Sequence, residues 1–300
     1  MAGRFLSIGE CMVELSQAGN GLLRKGFAGD TFNTAWYAKA CFEKDWTVDY
    51  FTTVGDDALS AEMVGFMEAA GIGTSQIRTI AGATPGLYLI DLKDGERTFS
   101  YWRGSSAARH LAEDVRRLRQ AIATSDVVYF SGVTLAILPP EGVETLLSEV
   151  RIAKADGNQI VFDPNLRPGL WTSPKQMRDT ICKAAGLATL VMPSFEDEGT
   201  YFGDNSTSDT IRRYRELGAS AVVVKNGPHG VTTGGENQDH WIPAENVDFV
   251  VDTTSAGDSF NAAFLSVYLD GHDPIASAKY AARVAAKVIA KHGALVELLE

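Results

Sequence analysis

The chain is poor in the residues that mark several large classes of protein. Its 300 residues hold three cysteines, Cys11, Cys41 and Cys182, an odd number, far apart and in no metal-ligand pattern. A disulfide framework is therefore not expected, and a reducing compartment, the cytoplasm, fits best. The five histidines form no pair at helical spacing that would mark a metal site. Basic residues are outnumbered, 27 against 38 acidic, for a formal net charge of −11. That balance argues against a nucleic-acid partner, which needs a basic stripe. It also means that an anionic ligand must be drawn by a local positive site rather than by the field of the whole molecule. No uncharged apolar run is long enough to span a bilayer, and Met1 leads directly into a strand-like run rather than a leader pattern. A membrane partner is not expected. Neither the Gly-x-x-x-x-Gly-Lys-Ser/Thr loop nor the protein-kinase catalytic set occurs, so those two routes to phosphate chemistry are excluded. No repeat, low-complexity tract or linker divides the chain, which is read as one unit over 1–300.

What is present is an alternation. The chain is 45% hydrophobic, enough for one large core. Strand-like runs are expected at 5–8, 48–54, 127–131, 160–163, 190–192, 221–225 and 249–252. Helical patterns are expected at 31–41, 58–70, 111–122, 141–155, 175–185, 208–217, 258–269 and 274–291. Short apolar strands between helices predict an α/β fold of three layers, a mostly parallel sheet covered on both faces. In such sheets ligands bind beyond the carboxyl ends of the strands.

One region breaks the rhythm. Residues 86–92 and 97–103, joined by Lys93-Asp94-Gly95-Glu96, read as a β-hairpin with a tight Asp-Gly turn. With the alternating stretch 11–16 it predicts a small β-lid, over about 10–18 and 85–104. An ordinary edge hairpin is the plainer reading. Tyr88, Tyr101, Trp102 and Arg103 favour a lid over a polar ligand.

The segment Val250-Val251-Asp252-Thr253-Thr254-Ser255-Ala256-Gly257-Asp258-Ser259-Phe260-Asn261 reads as strand, turn and helix start. Ala256 and Gly257 let backbone approach a ligand. The first amides of a helix lack intrahelical partners and carry the positive end of its dipole, which suits a phosphate. Asp258 would sit beside that cradle as helix cap or as proton acceptor.

Three other polar motifs end strands or start helices. Ala28-Gly29-Asp30-Thr31-Phe32-Asn33 begins the first helix, with hydroxyl-binding groups at Asp30 and Asn33 and close backbone approach at Gly29. Asp163-Pro164-Asn165-Leu166-Arg167 ends a buried strand, where polar groups are costly unless they serve a ligand or each other. Arg167 suits a carboxylate or phosphate, or an ion pair with Asp163. Lys225-Asn226-Gly227-Pro228-His229-Gly230 is a glycine-rich turn after another strand.

These motifs, in this order and over nearly the whole length, resemble the ribokinase-like carbohydrate kinases. The segments 9–15, 29–33, 85–88, 95–99, 101–103 and 131–138 look like the 2-keto-3-deoxygluconate kinases of that family. The resemblance implies a ribokinase-like fold that uses ATP with Mg2+ to phosphorylate the C6 hydroxyl of this sugar acid. It makes Asp258 the base, with Ser255, Ala256 and Gly257 in the anion hole. Gly29, Asp30, Asn33, Tyr88, Tyr101, Arg103 and Arg167 would bind the sugar acid, the arginines and tyrosines taking its carboxylate. Ser194, Lys225, Gly227 and Gly230 would lie on the nucleotide side. Asp197 would act on magnesium through water, with Glu196 and Glu198 as competing choices. Asp252 and Thr254 would border a monovalent-cation loop, for K+. A homodimer or higher homo-oligomer is compatible with the resemblance. A kinase for another sugar, such as fructose, and a non-catalytic sugar-acid sensor are the alternatives.

Overall fold

Six short apolar runs line up in parallel at the centre of the computed structural model, which describes residues 3–93, 96–235 and 238–298. In spatial order they are Ala221–Lys225, Leu190–Val191, Gln159–Asp163, Val127–Ser131, Arg4–Ile8 and Thr47–Phe51. Two further strands, Val231–Thr233 and His240–Ile242, extend the sheet antiparallel beyond Ala221–Lys225. Successive residues of one strand feed opposite layers. Leu6, Val128, Phe162 and Val224 enter one core, while Phe5, Val127, Val161 and Val223 enter the other. This two-sided burial is why the strands read as continuous apolar runs rather than alternating ones.

The helices divide accordingly. Val115–Ala123, Pro140–Ala155, Pro174–Leu187 and Thr207–Glu216 contribute buried residues such as Leu118, Leu146, Met177 and Ile211 to the first core. Asp30–Cys41, Ala58–Ala69, Ala256–Tyr268 and Pro274–Ile289 contribute Phe32, Met63, Phe264 and Ala281 to the second. The helix starts are locally encoded. Asp57, Asp114, Ser173, Ser206 and Asp273 each accept backbone N–H bonds at an N-cap, which stabilises a helix by about 1 kcal/mol.

After Arg4–Ile8 the sheet grows on one side with Thr47–Phe51. It then restarts on the other side with Val127–Ser131. Such a reversal opens a crevice at the carboxyl ends of the two neighbouring strands, the place where α/β sheets bind ligands.

A separate four-stranded sheet has the order Leu22–Ala28, Met12–Gly19, Leu87–Lys93, Glu96–Trp102. The strands expected near 11–16 and on both sides of the hairpin are present. The turn residues Asp94 and Gly95 lie outside the described residues. The strand Leu22–Ala28 was not expected. Its signal is the Gly19-Asn20-Gly21 turn before it, in which all three residues have positive φ.

Two expectations need correction. The run 48–54 is not one strand. It ends at Phe51 and resumes as Thr53–Gly55 in a two-stranded sheet with Arg78–Ile80. Residues 249–252, expected as a strand, join none of the sheets. The Val251 and Asp252 N–H groups donate instead to the Ile289 carbonyl, at 2.8 and 3.1 Å, at the end of the last helix. Phe249 is 80% exposed, so apolar composition alone gave a false strand signal there. A short helix at Gly132–Ile137 was unforeseen, and the acidic run 196–198, readable as a helix start, opens another, Phe195–Phe202.

Candidate active site

The helix that carries Asp258 begins at Ala256, with Ser255 as N-cap in the left-handed region at φ 61°. Asp258 therefore lies inside the first turn and is not the cap. Its Oδ2 accepts from Asn33 Nδ2 at 2.8 Å, on the helix opened by Gly29 and Asp30. Burial, the negative charges of Asp30 and Asp163, and only partial relief from Asn33 and Lys225 push the Asp258 carboxyl up to about 7. That range suits a general base working near neutral pH.

Gly29 cannot be another residue. A Cβ there would stand 2.1 Å from the Glu10 carbonyl oxygen, because the chain after Arg4–Ile8 presses against this helix start. Asn33 Oδ1 accepts from the Gly29 N–H at 3.2 Å. Asp30 Oδ2 accepts from Asn165 Nδ2 at 2.7 Å, and Asn165 is itself left-handed at φ 33°. Asp30, Asn33, Asn165 and Asp258 thus form one polar wall, contributed by two helix starts and the end of the strand Gln159–Asp163.

The anion cradle is narrower than expected. The Ala256 N–H donates to the Thr253 carbonyl at 3.2 Å, so the helix end offers chiefly the later first-turn amides. Lys225 Nζ lies 3.6 Å from where a Cβ on Gly257 would stand. Lys225 is buried, and its Nζ donates to Asp163 Oδ2 at 2.8 Å and to Asn261 Oδ1 at 3.0 Å. The ammonium is therefore beneath the helix start rather than out on an open nucleotide face. The alternative Asp163–Arg167 ion pair does not form. Asp163 pairs with Lys225, while Arg167 is 3.8 Å from Asp197 and 55% exposed.

Gly227 and Gly230 flank a single 3-10 turn, and both have positive φ, 51° and 90°. A Cβ on Gly230 would meet the Ile242 carbonyl at 2.2 Å. Ser194 caps the helix Phe195–Phe202 by position, without a side-chain bond, and bridges to Lys225. Of the three acids that follow, Asp197 is on the site side. Burial raises its pKa, and Arg167 and Lys225 oppose that while Asp163 adds to it. Glu198 is held away in a buried cluster by Arg213 Nη2 at 2.6 Å and the Tyr214 hydroxyl at 2.9 Å. Burial pushes it up to about 7.

On the four-stranded sheet and just beyond it, two expected ligand groups already have protein partners. Arg103 Nη2 bonds Glu10 Oε2, with side chains only 11% and 1% exposed. The Tyr88 hydroxyl donates to Glu14 Oε2, and burial followed by the Glu14 charge raises its pKa. Tyr101 lies beside Tyr88 with ring centroids 5.9 Å apart and is 53% exposed. Arg103 and Arg167 are thus not two bare cations. Each has a carboxylate neighbour.

Asp252 does not present a bare carboxylate either. Its Oδ1 accepts from the Thr254 N–H at 2.9 Å and its Oδ2 from the Gly293 N–H at 2.8 Å, closing the loop onto the end of the last helix. Among the described residues, no group of three His, Cys, Asp or Glu side chains is arranged to hold a metal ion.

Sequence reasoning assigned no role to Glu10, Glu14, Tyr129 or Asn261, and it offered Asp163 the wrong partner, Arg167 rather than Lys225. Asn261 had a readable signal, since it stands three residues after Asp258 on one helix face. Tyr129 had none. It lies in an apolar strand, and only the fold brings its hydroxyl 3.1 Å from Asn261 Nδ2.

The Asp258 carboxylate stands beside a helix N-terminus and a buried ammonium, in a three-layer α/β fold. Fold and site together define a small-molecule kinase. The chain belongs to the pfkB family of carbohydrate kinases, whose family profile matches residues 4–299. The 2-dehydro-3-deoxygluconokinase of Dickeya dadantii (strain 3937) is 38% identical over 299 residues, covering 97% of this chain and 96% of the relative. The crystal structure of a PfkB protein from Polaromonas sp. JS666 superposes with a TM-score of 0.84 at 27% identity, covering 96% of each chain. A fructokinase from Xylella fastidiosa with bound ATP superposes with a TM-score of 0.86 at 20% identity, over 98% of this chain and 94% of that one. The ribokinase-like fold expected from the motifs is the fold observed.

Proposed function

We propose that the protein transfers the γ-phosphoryl group of ATP to the C6 hydroxyl of 2-keto-3-deoxygluconate (2-dehydro-3-deoxygluconate), giving the 6-phosphate. The observation that carries this reading is the Asp258–Asn33 pair beside Gly257 and Lys225. The identity of 38% over 97% of the chain to a kinase named for this sugar acid supports the substrate.

In this reading Asn33 orients the Asp258 carboxylate, which takes the hydroxyl proton as the oxygen attacks phosphorus. The amides of Gly257 and Asp258, with Ser255 and Ala256 shaping the turn, and the Lys225 ammonium stabilise charge on the phosphoryl group in flight. Gly29, Asp30 and Asn33 bind the sugar hydroxyls. Arg103, Arg167 and Tyr101 receive the carboxylate, with Glu10 fixing Arg103, while Tyr88, whose hydroxyl donates to Glu14, packs beside Tyr101. Ser194, Gly227 and Gly230 border the nucleotide. Asp197, partly buried near Arg167 and Lys225, would hold magnesium through water, and the ion, bound with the nucleotide, would supply neutralisation of phosphate charge. The lid segments 10–18 and 85–104, within one unit of 1–300, exclude water.

The test is a coupled assay of ADP release with ATP, Mg2+ and a panel of sugars and sugar acids. Turnover of 2-keto-3-deoxygluconate with a 6-phosphorylated product supports the reading. Turnover of a neutral sugar alone overturns the substrate. The same assay in sodium and in potassium buffers decides the role of K+, and sedimentation of the purified protein decides its oligomeric state.

A further inference from the structure

Lys225 ends the strand Ala221–Lys225 and is 8% exposed. An ammonium removed from water to that degree is retained only when it is paired and hydrogen-bonded. Its partners form a closed triangle. Lys225 Nζ donates to Asp163 Oδ2 at 2.8 Å and to Asn261 Oδ1 at 3.0 Å, and Asn261 Nδ2 donates to the same Asp163 Oδ2 at 2.6 Å. Behind it, Asn261 Nδ2 also reaches the Tyr129 hydroxyl at 3.1 Å, which Thr34 Oγ1 approaches at 3.2 Å. An amide side chain is the one group of this size that accepts from the ammonium and donates to the carboxylate at once. Aspartate at 261 would place a second negative charge against Asp163, and an apolar residue would leave both charges short of a partner.

Two further facts give the triangle a direction. An ammonium has three donors, and among the described residues two are taken. Nζ is also 3.6 Å from the Cβ position of Gly257, in the first turn of the helix that carries Asp258. Asn261 is on that same helix, three residues beyond Asp258. One helix therefore carries the proton acceptor and the clamp on the cation.

We propose that Asn261 and Asp163 are positioning residues for phosphoryl transfer, which fix the Lys225 ammonium against Gly257 with its third N–H left for an oxygen of the transferring phosphoryl group. The proposal rests on the kinase reading above. In the step it serves, the bond from phosphorus to the β-phosphate oxygen breaks and the bond to the sugar oxygen forms. The electron pair leaves on ADP, and the hydroxyl proton passes to Asp258. The groups facing Asp258 are Asn33, Asp30, Asp163, Lys225, Tyr37 and Tyr129. Of these, Lys225 is the cation, so its displacement disfavours the Asp258 carboxylate.

The experiment is a double-mutant cycle of N261A and K225M on the full chain, read by kinetics with 2-keto-3-deoxygluconate and by the Asp258 titration in carboxyl NMR without substrate. N261A is expected to lower kcat by about 30-fold or more. Both KM values should stay within about threefold, and the acid limb of the pH profile should move to higher pH. In the K225M background, N261A should cost less than about threefold more. Losses that multiply in the double variant, or an N261A kcat within about threefold of wild type, overturn the positioning role. If wild type does not turn over the sugar acid but the Asp258 titration still rises in N261A, the substrate reading fails and the positioning role stands. An unmoved titration in N261A overturns it.

Discussion

Asn33 Nδ2 donates to Asp258 Oδ2 at 2.8 Å across 225 residues of sequence, tying the start of the first helix to the first turn of the helix Ala256–Tyr268. The bond holds the carboxylate in one orientation while Asp30 and Asp163 oppose its ionisation. Orientation and protonation are thus set by different neighbours, and they can be perturbed separately.

Asp258→Asn should keep shape and substrate binding but lose the proton acceptor. A fall in kcat of about 10²–10⁴-fold is expected, measured by steady-state kinetics. In wild type, kcat/KM should fall as pH drops below about 7, where the carboxyl binds its proton.

The same shift has a sign for stability. A carboxyl whose folded pKa is raised binds its proton more tightly when folded. Asp258 therefore lowers stability as pH rises from its ordinary carboxylate value towards 7, with the full cost present above 7. Asp258→Asn should melt above wild type at pH 8, and the gain should shrink towards pH 4. Differential scanning calorimetry at the two pH values checks it.

Arg103 and Arg167 should behave differently when truncated. Arg103→Ala leaves Glu10 buried and unpaired, at a cost of about 3–5 kcal/mol in urea unfolding, and should also raise KM for the sugar acid. Arg167 is 55% exposed and only 3.8 Å from Asp197, so its loss should change stability by less than about 1 kcal/mol. Arg167→Ala should raise KM for the sugar acid at least about tenfold with little change for ATP, the loss of one hydrogen-bonded charge contact.

Ser255 combines φ 61° with a buried hydroxyl that has no partner among the described residues. The left-handed conformation costs a non-glycine residue about 1–2 kcal/mol, and an unsatisfied buried hydroxyl adds about 1–3. The extra chain entropy of glycine offsets about 0.5–1 of that. Ser255→Gly should therefore stabilise the fold by about 1 kcal/mol or more in urea unfolding.

The layered fold was legible because the parallel strands are largely apolar on both faces and several helix starts, among them those after Asp57, Asp114, Ser173, Ser206 and Asp273, carry their own caps. Strands 127–131 and 221–225 were read to the residue. Phe249 and Val250 misled for the same reason, since hydrophobicity marks a strand only where a neighbour exists to pair with it. The site residues were legible as types at strand ends, but their partners were not. Nothing in local sequence says that Glu10 will reach Arg103 across 93 residues, or that Asp163 will meet Lys225 rather than Arg167 four positions away. Those pairings are set by strand order and by the register of the lid, which no single-segment pattern contains.

The most direct test of the account is the ratio of kcat/KM for 2-keto-3-deoxygluconate to that for fructose, with ATP and Mg2+. Arg103 is held ready by Glu10, and Arg167 is loosely held by Asp197. In the proposed reading a sugar acid's carboxylate bonds to these guanidinium groups, and a neutral ketose has no anion to offer them. Each charged contact contributes about 1.5–3 kcal/mol, so the account predicts a ratio of about 10² or more. A ratio of one or below would contradict the sugar-acid assignment.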